Sequence, residues 1–285
     1  MKHYVRYVRP GFKQFDPVVL ARETARIVCK GNKRKYTDFV FDPEYQGIVT
    51  GYTLGCNLRC VFCGEDWSRD YPKKCGRFYF PEEVYKKLLD IGKKFGTNRV
   101  RISGAEPAIG KAHLLELLEY IENSEFRIFV LETNGILFGI DRDYVQAISK
   151  FRKIRVRVSL KAGTPHDFAR KTGAIPESFN IPFEAIRNLI DHKVKFNLAA
   201  VTDPRLMSRD ERNILLKKLK SLNPNILLKL QEEIILPYQA TLARLDQAGF
   251  DWRQYLLPLP IVKVFRKVSR NRMVSSLVSK KPRKH

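Results

Sequence analysis

Three of the five cysteines, Cys56, Cys60 and Cys63, fall within the stretch GYTLGCNLRCVFCGEDW that runs from Gly51 to Trp67. Their spacing is C-x-x-x-C-x-x-C, close enough for one short loop to wrap a compact metal centre. A closed structural site takes four protein ligands, whereas a catalytic site holds three and leaves one position open. The other thiols, Cys29 and Cys75, stand alone, and none lies beyond residue 75. A chain of 285 residues buries enough surface to fold without a cysteine staple. In a reducing compartment clustered thiols are metal ligands or catalysts more often than disulfides. Cys29 reads as an ordinary buried thiol.

Such a loop needs a rigid element to present it. From about residue 47 short β-rich runs alternate with helical stretches, the pattern of parallel α/β folds. Strands are expected at 48–53, 98–103, 127–133, 153–160, 194–201 and 225–231, with helices near 81–95, 109–123, 141–150, 178–192 and 208–221. Cys56 then comes directly after the first strand, at the carboxyl end where parallel α/β proteins place their chemistry. In KIRVRVSLK the residues Ile154, Val156, Val158 and Leu160 share one face, and Arg155, Arg157, Ser159 and Lys161 the other. A strand covered by helices on both faces would be apolar throughout. The alternation instead predicts an α/β fold of the partial (β/α)6, TIM-like type, an incomplete barrel with helices outside and a polar interior. Lumen arginines either pair with carboxylates such as Glu132 and Glu233 or bind an anion. Residues 1–45 lack a clear period and read as a basic amino-terminal extension, 46–235 as the barrel, and 236–285 as a helical, basic carboxyl-terminal extension.

The cysteine spacing, together with the motifs downstream in the chain, resembles the radical S-adenosylmethionine (SAM) superfamily. The resemblance implies a four-iron four-sulfur cluster, [4Fe-4S], on Cys56, Cys60 and Cys63, with SAM chelating the fourth iron and being cleaved to a 5′-deoxyadenosyl radical. Phe62, the aromatic residue before the third cysteine, would lie against the adenine. SGAEP, Ser103 to Pro107, is similar to the family's G-G-E-P motif, so Gly104, Ala105, Glu106 and Pro107 would hold the amino group of SAM. Ala105 stands where the second glycine is usual, a costly exchange only if that position needs a positive φ. ETNG and SLKAG, at the ends of the third and fourth strands, place Asn134, Ser159 and Lys161 at the ribose and carboxylate of SAM. The resemblance covers about residues 47–235 and implies an external electron donor such as a ferredoxin or flavodoxin. Without cysteines after the barrel, the sequence departs from the molybdenum-cofactor and peptide-modifying subfamilies, which carry auxiliary clusters there.

The formal net charge is +23, and it gathers at the ends: ten Lys or Arg against three acids in residues 1–40, and nine against none in 261–285. Basic flanks attract a polyanion, so RNA held through the termini ranks first among substrates. A small anionic metabolite clamped by Arg99, Arg101, Arg155 and Arg157 ranks second, and a protein third. The reading of another class is a zinc site completed by Cys75, in an RNA-binding module without catalysis. His113 and His192 read as ordinary helix residues. No apolar run reaches signal-peptide or membrane-span length, so a soluble, cytoplasmic protein without a transmembrane segment is expected.

Overall fold

The computed structural model describes residues 4–43 and 47–256 and builds them around one nine-stranded sheet. Asp16 opens α1 (Pro17–Val28) by accepting from the amides of Val18 and Val19, with proline in the first turn. The chain continues through β1 (Cys29–Lys30) and β2 (Lys33–Asp42) into β3 (Ile48–Thr53), β4 (Arg77–Tyr79) and α2 (Pro81–Phe95). Next come β5 (Arg99–Gly104), α3 (Lys111–Glu122), β6 (Ile128–Thr133), α4 (Ile136–Ile140), α5 (Arg142–Ser149) and β7 (Ile154–Leu160). The last elements are α6 (Pro165–Thr172), α7 (Ile181–Asp191), β8 (Phe196–Val201), α8 (Arg209–Leu222), β9 (Leu230–Glu233) and α9 (Gln239–Gln247).

Strands β3, β5, β6, β7, β8 and β9 lie side by side in that order, all parallel, and the sheet does not close. Neighbours in space are neighbours in sequence, as short crossovers through outer helices require. In β7 the residues Ile154, Val156, Val158 and Leu160 are buried against the helices, whereas Arg155, Arg157 and Ser159 are half-buried on the inner face. The expected partial barrel with a polar lumen is present. No helix among the described residues is long and apolar enough to cross a membrane.

Three expectations change. The strand expected at 225–231 begins as a 3-10 turn, Ile226–Lys229, because the Asn225 amide donates to Asn223 Oδ1 and starts a tight turn; β9 is shifted to 230–233. A helix, α6, occupies the stretch after SLKAG: Thr164 caps it by accepting from the Asp167 amide, and Gly173 ends it at φ 76°. Residues before 46 are also regular, since β2 pairs antiparallel with β3 from Tyr36 to Asp42 and extends the sheet. The carboxyl-terminal basic stretch 261–285 lies outside the described residues.

Candidate active site

The loop that carries the thiols leaves β3 through Gly55, whose φ is 74° and whose added Cβ would meet Thr24 Cγ2 at 2.6 Å. Only glycine fits that turn. Beyond it, Arg59 N donates to Thr172 O and Val61 N to Lys171 O, each at 2.9 Å, so the loop is stitched to the end of α6. Cys63 N donates to Cys60 O at 3.2 Å. Cys56 and Cys60 are buried and Cys63 half-buried. Burial pushes the Cys56 thiol up to about 12 and the Cys60 thiol up as well, with the Lys161 ammonium pulling Cys60 back.

Guanidinium groups hold the carbonyls of all three cysteines. Arg59 donates to Cys56 O at 2.6 Å, Arg69 to Cys60 O at 2.9 Å, and Arg244, from α9, to Cys63 O at 2.7 Å. Asp70 binds Arg69 and Arg244 together, at 2.6 Å each. Burial alone would push the Arg69 guanidinium down, but Cys63, Asp70 and Cys60 hold it up. None of these arginines has a local sequence signal; Arg244 reaches the loop from the far end of the described chain.

The SGAEP turn lies beside the loop. Gly104 takes φ 95°, and a Cβ there would meet Thr53 O at 2.7 Å; Ala105 keeps a negative φ and costs nothing. Glu106 is buried and its carboxylate is fully engaged within the protein. It accepts from Thr133 Oγ1 (2.7 Å), the Asn134 amide (2.8 Å) and the Ala108 amide (3.1 Å). Burial nonetheless pushes its pKa up. Pro107 opens the single 3-10 turn that comes next. Asn134 Nδ2 donates to Asn57 Oδ1 at 2.7 Å and lies 3.7 Å from Cys56 Sγ. Lys161 donates to Ser159 Oγ at 2.5 Å, with its ammonium 6.0 Å from the centre of the buried Phe62 ring. The structure therefore brings all the sequence-expected site residues to one end of the barrel.

Below them the lumen carries an alternating chain of charges. Asp42 pairs with Arg101 (3.3 Å), Arg101 with Glu132 (3.5 Å), Glu132 with Arg157 (3.7 Å) and Arg157 with Glu233 (2.5 Å). Ser103 donates to Glu132 at 2.5 Å, and Gln231 accepts from Arg157 at 3.0 Å. Arg155 folds back to donate to the carbonyls of Arg152 and Ile154. This corrects the picture of four ready anion clamps: carboxylates already occupy Arg101 and Arg157, Arg155 donates to main-chain carbonyls, and Arg99 Nε is buried without a hydrogen-bond partner among the described residues.

The sequence matches the radical SAM superfamily over residues 51–206, more than half of the chain. The chain belongs to the radical SAM superfamily. It is 29% identical over 133 residues to a probable GTP 3′,8-cyclase of Methanococcus vannielii, covering 47% of this chain and 42% of that protein. It is 30% identical over 151 residues to the GTP 3′,8-cyclase of Desulforamulus reducens, covering 51% of this chain and 44% of that one. The chain thus spans less than half the length of these relatives. Among solved structures, Streptococcus suis SuiB bound to precursor peptide SuiA superposes with a TM-score of 0.53 at 18% identity, over 71% of this chain and 44% of that chain, a likeness of fold.

As a radical SAM protein the chain takes a [4Fe-4S] cluster and SAM as cofactors, and its residues fit them. Among the described residues no three His, Cys, Asp or Glu side chains converge on a single ion. Asn57 Nδ2 and Arg59 Nη2 are buried beside Cys56 without a partner, two donors that a sulfur-rich or carboxylate-bearing group would satisfy. The four-cysteine zinc site does not form, because Cys75 packs with Cys29 in a separate cluster around Ala21, Val28, Leu54 and Ile109.

Proposed function

We propose that this chain is a radical SAM enzyme acting on a small anionic metabolite drawn into the barrel lumen. When bound, the cluster and SAM supply a 5′-deoxyadenosyl radical able to take a hydrogen atom from a substrate. Cys56, Cys60 and Cys63 hold the cluster, fed by an external one-electron donor such as a ferredoxin or flavodoxin. The backbone of Gly104 and Ala105, Asn134, Ser159 and Lys161 hold SAM, with Phe62 at its adenine. Glu106 acts from behind, fixing Asn134 and the turn that Pro107 continues.

The observation that carries the substrate class is the polar ladder directly beneath these residues. Arg157 is its solvent-side guanidinium; Glu132 holds it from β6, and its further partners Gln231 and Glu233 belong to β9, at the open edge of the sheet. An incoming phosphate or carboxylate can compete with them for the Arg157 Nη2 donor. The relatives named GTP 3′,8-cyclase support a nucleotide-sized substrate. In the test, deoxyadenosine formation is followed with dithionite, SAM and either a small-metabolite extract, total RNA or a protein extract. The small-metabolite fraction should stimulate it, and Arg157→Gln should raise the amount needed for half-maximal stimulation by roughly tenfold or more. Stimulation by RNA alone would restore the polyanion reading motivated by the net charge.

A further inference from the structure

The cysteine loop sits in a buried nest of positive charge. Arg59, Arg69 and Arg244 are only 1%, 2% and 2% exposed, and each donates to the carbonyl of a different one of the three cysteines. Asp70 pairs with both Arg69 and Arg244. Arg59 has carbonyl partners (Val5, Cys56 and Leu58) and the Tyr4 ring at 4.9 Å, and among the described residues no carboxylate pairs with it. Glu65, half-buried in the same loop, also faces Arg69 and Arg244, so Arg59 is the guanidinium left without a carboxylate, in a place where an isolated charge is strongly disfavoured. An anionic group beside the loop would offset it. The thiolates of a bound cluster lie on the same three residues that the guanidiniums hold.

We propose that Arg59, Arg69 and Arg244 are positioning residues that set the reduction potential of the cluster, raising it, with Asp70 as the counterweight that lowers it. The proposal rests on Cys56, Cys60 and Cys63 being the cluster ligands. Reduction adds one negative charge to the centre. Buried cations whose hydrogen bonds keep them at fixed positions stabilise the reduced form more than the oxidised one, and the shortage of water leaves that preference poorly screened. The three anchors differ in origin: Arg59 lies inside the loop, Arg69 just after it, and Arg244 on α9. The last ties the potential to the docking of α9, which also holds the loop through Thr241 Oγ1 donating to Cys63 O at 3.2 Å.

The charge assignment predicts opposite signs, which a purely structural role does not. Wild type, Arg244→Gln, Arg244→Lys and Asp70→Asn are loaded anaerobically, iron is counted, and the midpoint potential is read by a redox titration followed through the EPR signal of the reduced cluster. Arg244→Gln should lower the reduced-to-oxidised ratio at fixed potential by tenfold or more, a shift of about 59 mV to more negative values. Asp70→Asn should move the potential to more positive values, and Arg244→Lys, which keeps the charge, should stay near wild type. Thermal unfolding of the unloaded proteins separates misfolding from tuning; if Asp70→Asn fails to fold, the Gln and Lys variants of Arg244 still decide by their difference. Equal potentials for Arg244→Gln and Arg244→Lys, or shifts of the same sign in Arg244→Gln and Asp70→Asn, would overturn the proposal. A wild type that takes up no iron would instead sink the ligand assignment on which it stands.

Discussion

Asn134 links three parts of the site through one side chain and one amide. Its amide nitrogen donates to Glu106, its Nδ2 donates to Asn57, and the same Nδ2 lies 3.7 Å from Cys56 Sγ. Its Oδ1 accepts from the amide of Ile136, the first residue of α4. Replacing Asn134 by Ala removes the side-chain bonds and leaves the bond from the main chain to Glu106. SAM affinity, measured by equilibrium dialysis, should therefore fall roughly three- to tenfold, the worth of one or two hydrogen bonds, while iron content stays at the wild-type value. Loss of iron would make Asn134 a structural prop of the loop. Residues of this kind were legible because they stand next to strand ends in short contiguous motifs. Arg59, Arg69 and Arg244 were not, since a guanidinium that binds a carbonyl leaves no spacing pattern, and only folding brings residue 244 to residue 63.

At the scale of elements, the parallel strands were readable from strict alternation, which survives because helices cover one face and the other is polar. The misreadings have local causes. The stretch 225–231 has the composition of a strand, yet Asn223 and Asn225 close a turn first. The α6 helix is brief and comes after a strand end rich in small residues, so its signals were confined to its ends, Thr164 and Pro165 at the start and Gly173 at the close. The antiparallel β2 lacked a clean period because Arg34, Lys35 and Tyr36 are consecutive buried residues of mixed polarity. That strand also governs a pH response. His113 on α3 is buried between Tyr36 and the turn before β2, with Nδ1 2.8 Å from Asn32 O and Nε2 2.8 Å from Tyr36 Oη. Asn32 O can only accept, so Nδ1 carries the proton and Nε2 accepts from the tyrosine. Burial holds the imidazole down, from 6.5 to about 4. Between those values the unfolded chain takes up a proton that the folded chain refuses, so stability falls as pH drops. Urea unfolding at pH 5 and pH 7.5 should show wild type losing about 2 kcal/mol more than His113→Gln over that interval. Equal losses would mean that the folded site admits the proton.

Across the whole molecule, separate stretches of chain meet at the cysteine loop. Val5 and Arg6 offer carbonyls to Arg59 and Arg69, α6 accepts from the loop amides, and α9 delivers Arg244. The segment before residue 46, legible only as a basic extension, is thereby part of the seat of the loop as well as of the sheet. Most of the charge imbalance at the carboxyl end falls on 261–285, outside the described residues. The central claim is that the three clustered thiols together hold the centre that cleaves SAM. Its most direct measurement is the release of 5′-deoxyadenosine from SAM by anaerobically loaded protein with dithionite, for wild type and each cysteine variant. Wild type, Cys29→Ser and Cys75→Ser should release it at similar rates, and Cys56→Ala, Cys60→Ala and Cys63→Ala should release none. Release that survives loss of any one of the three, or that disappears with Cys75→Ser, would contradict the account.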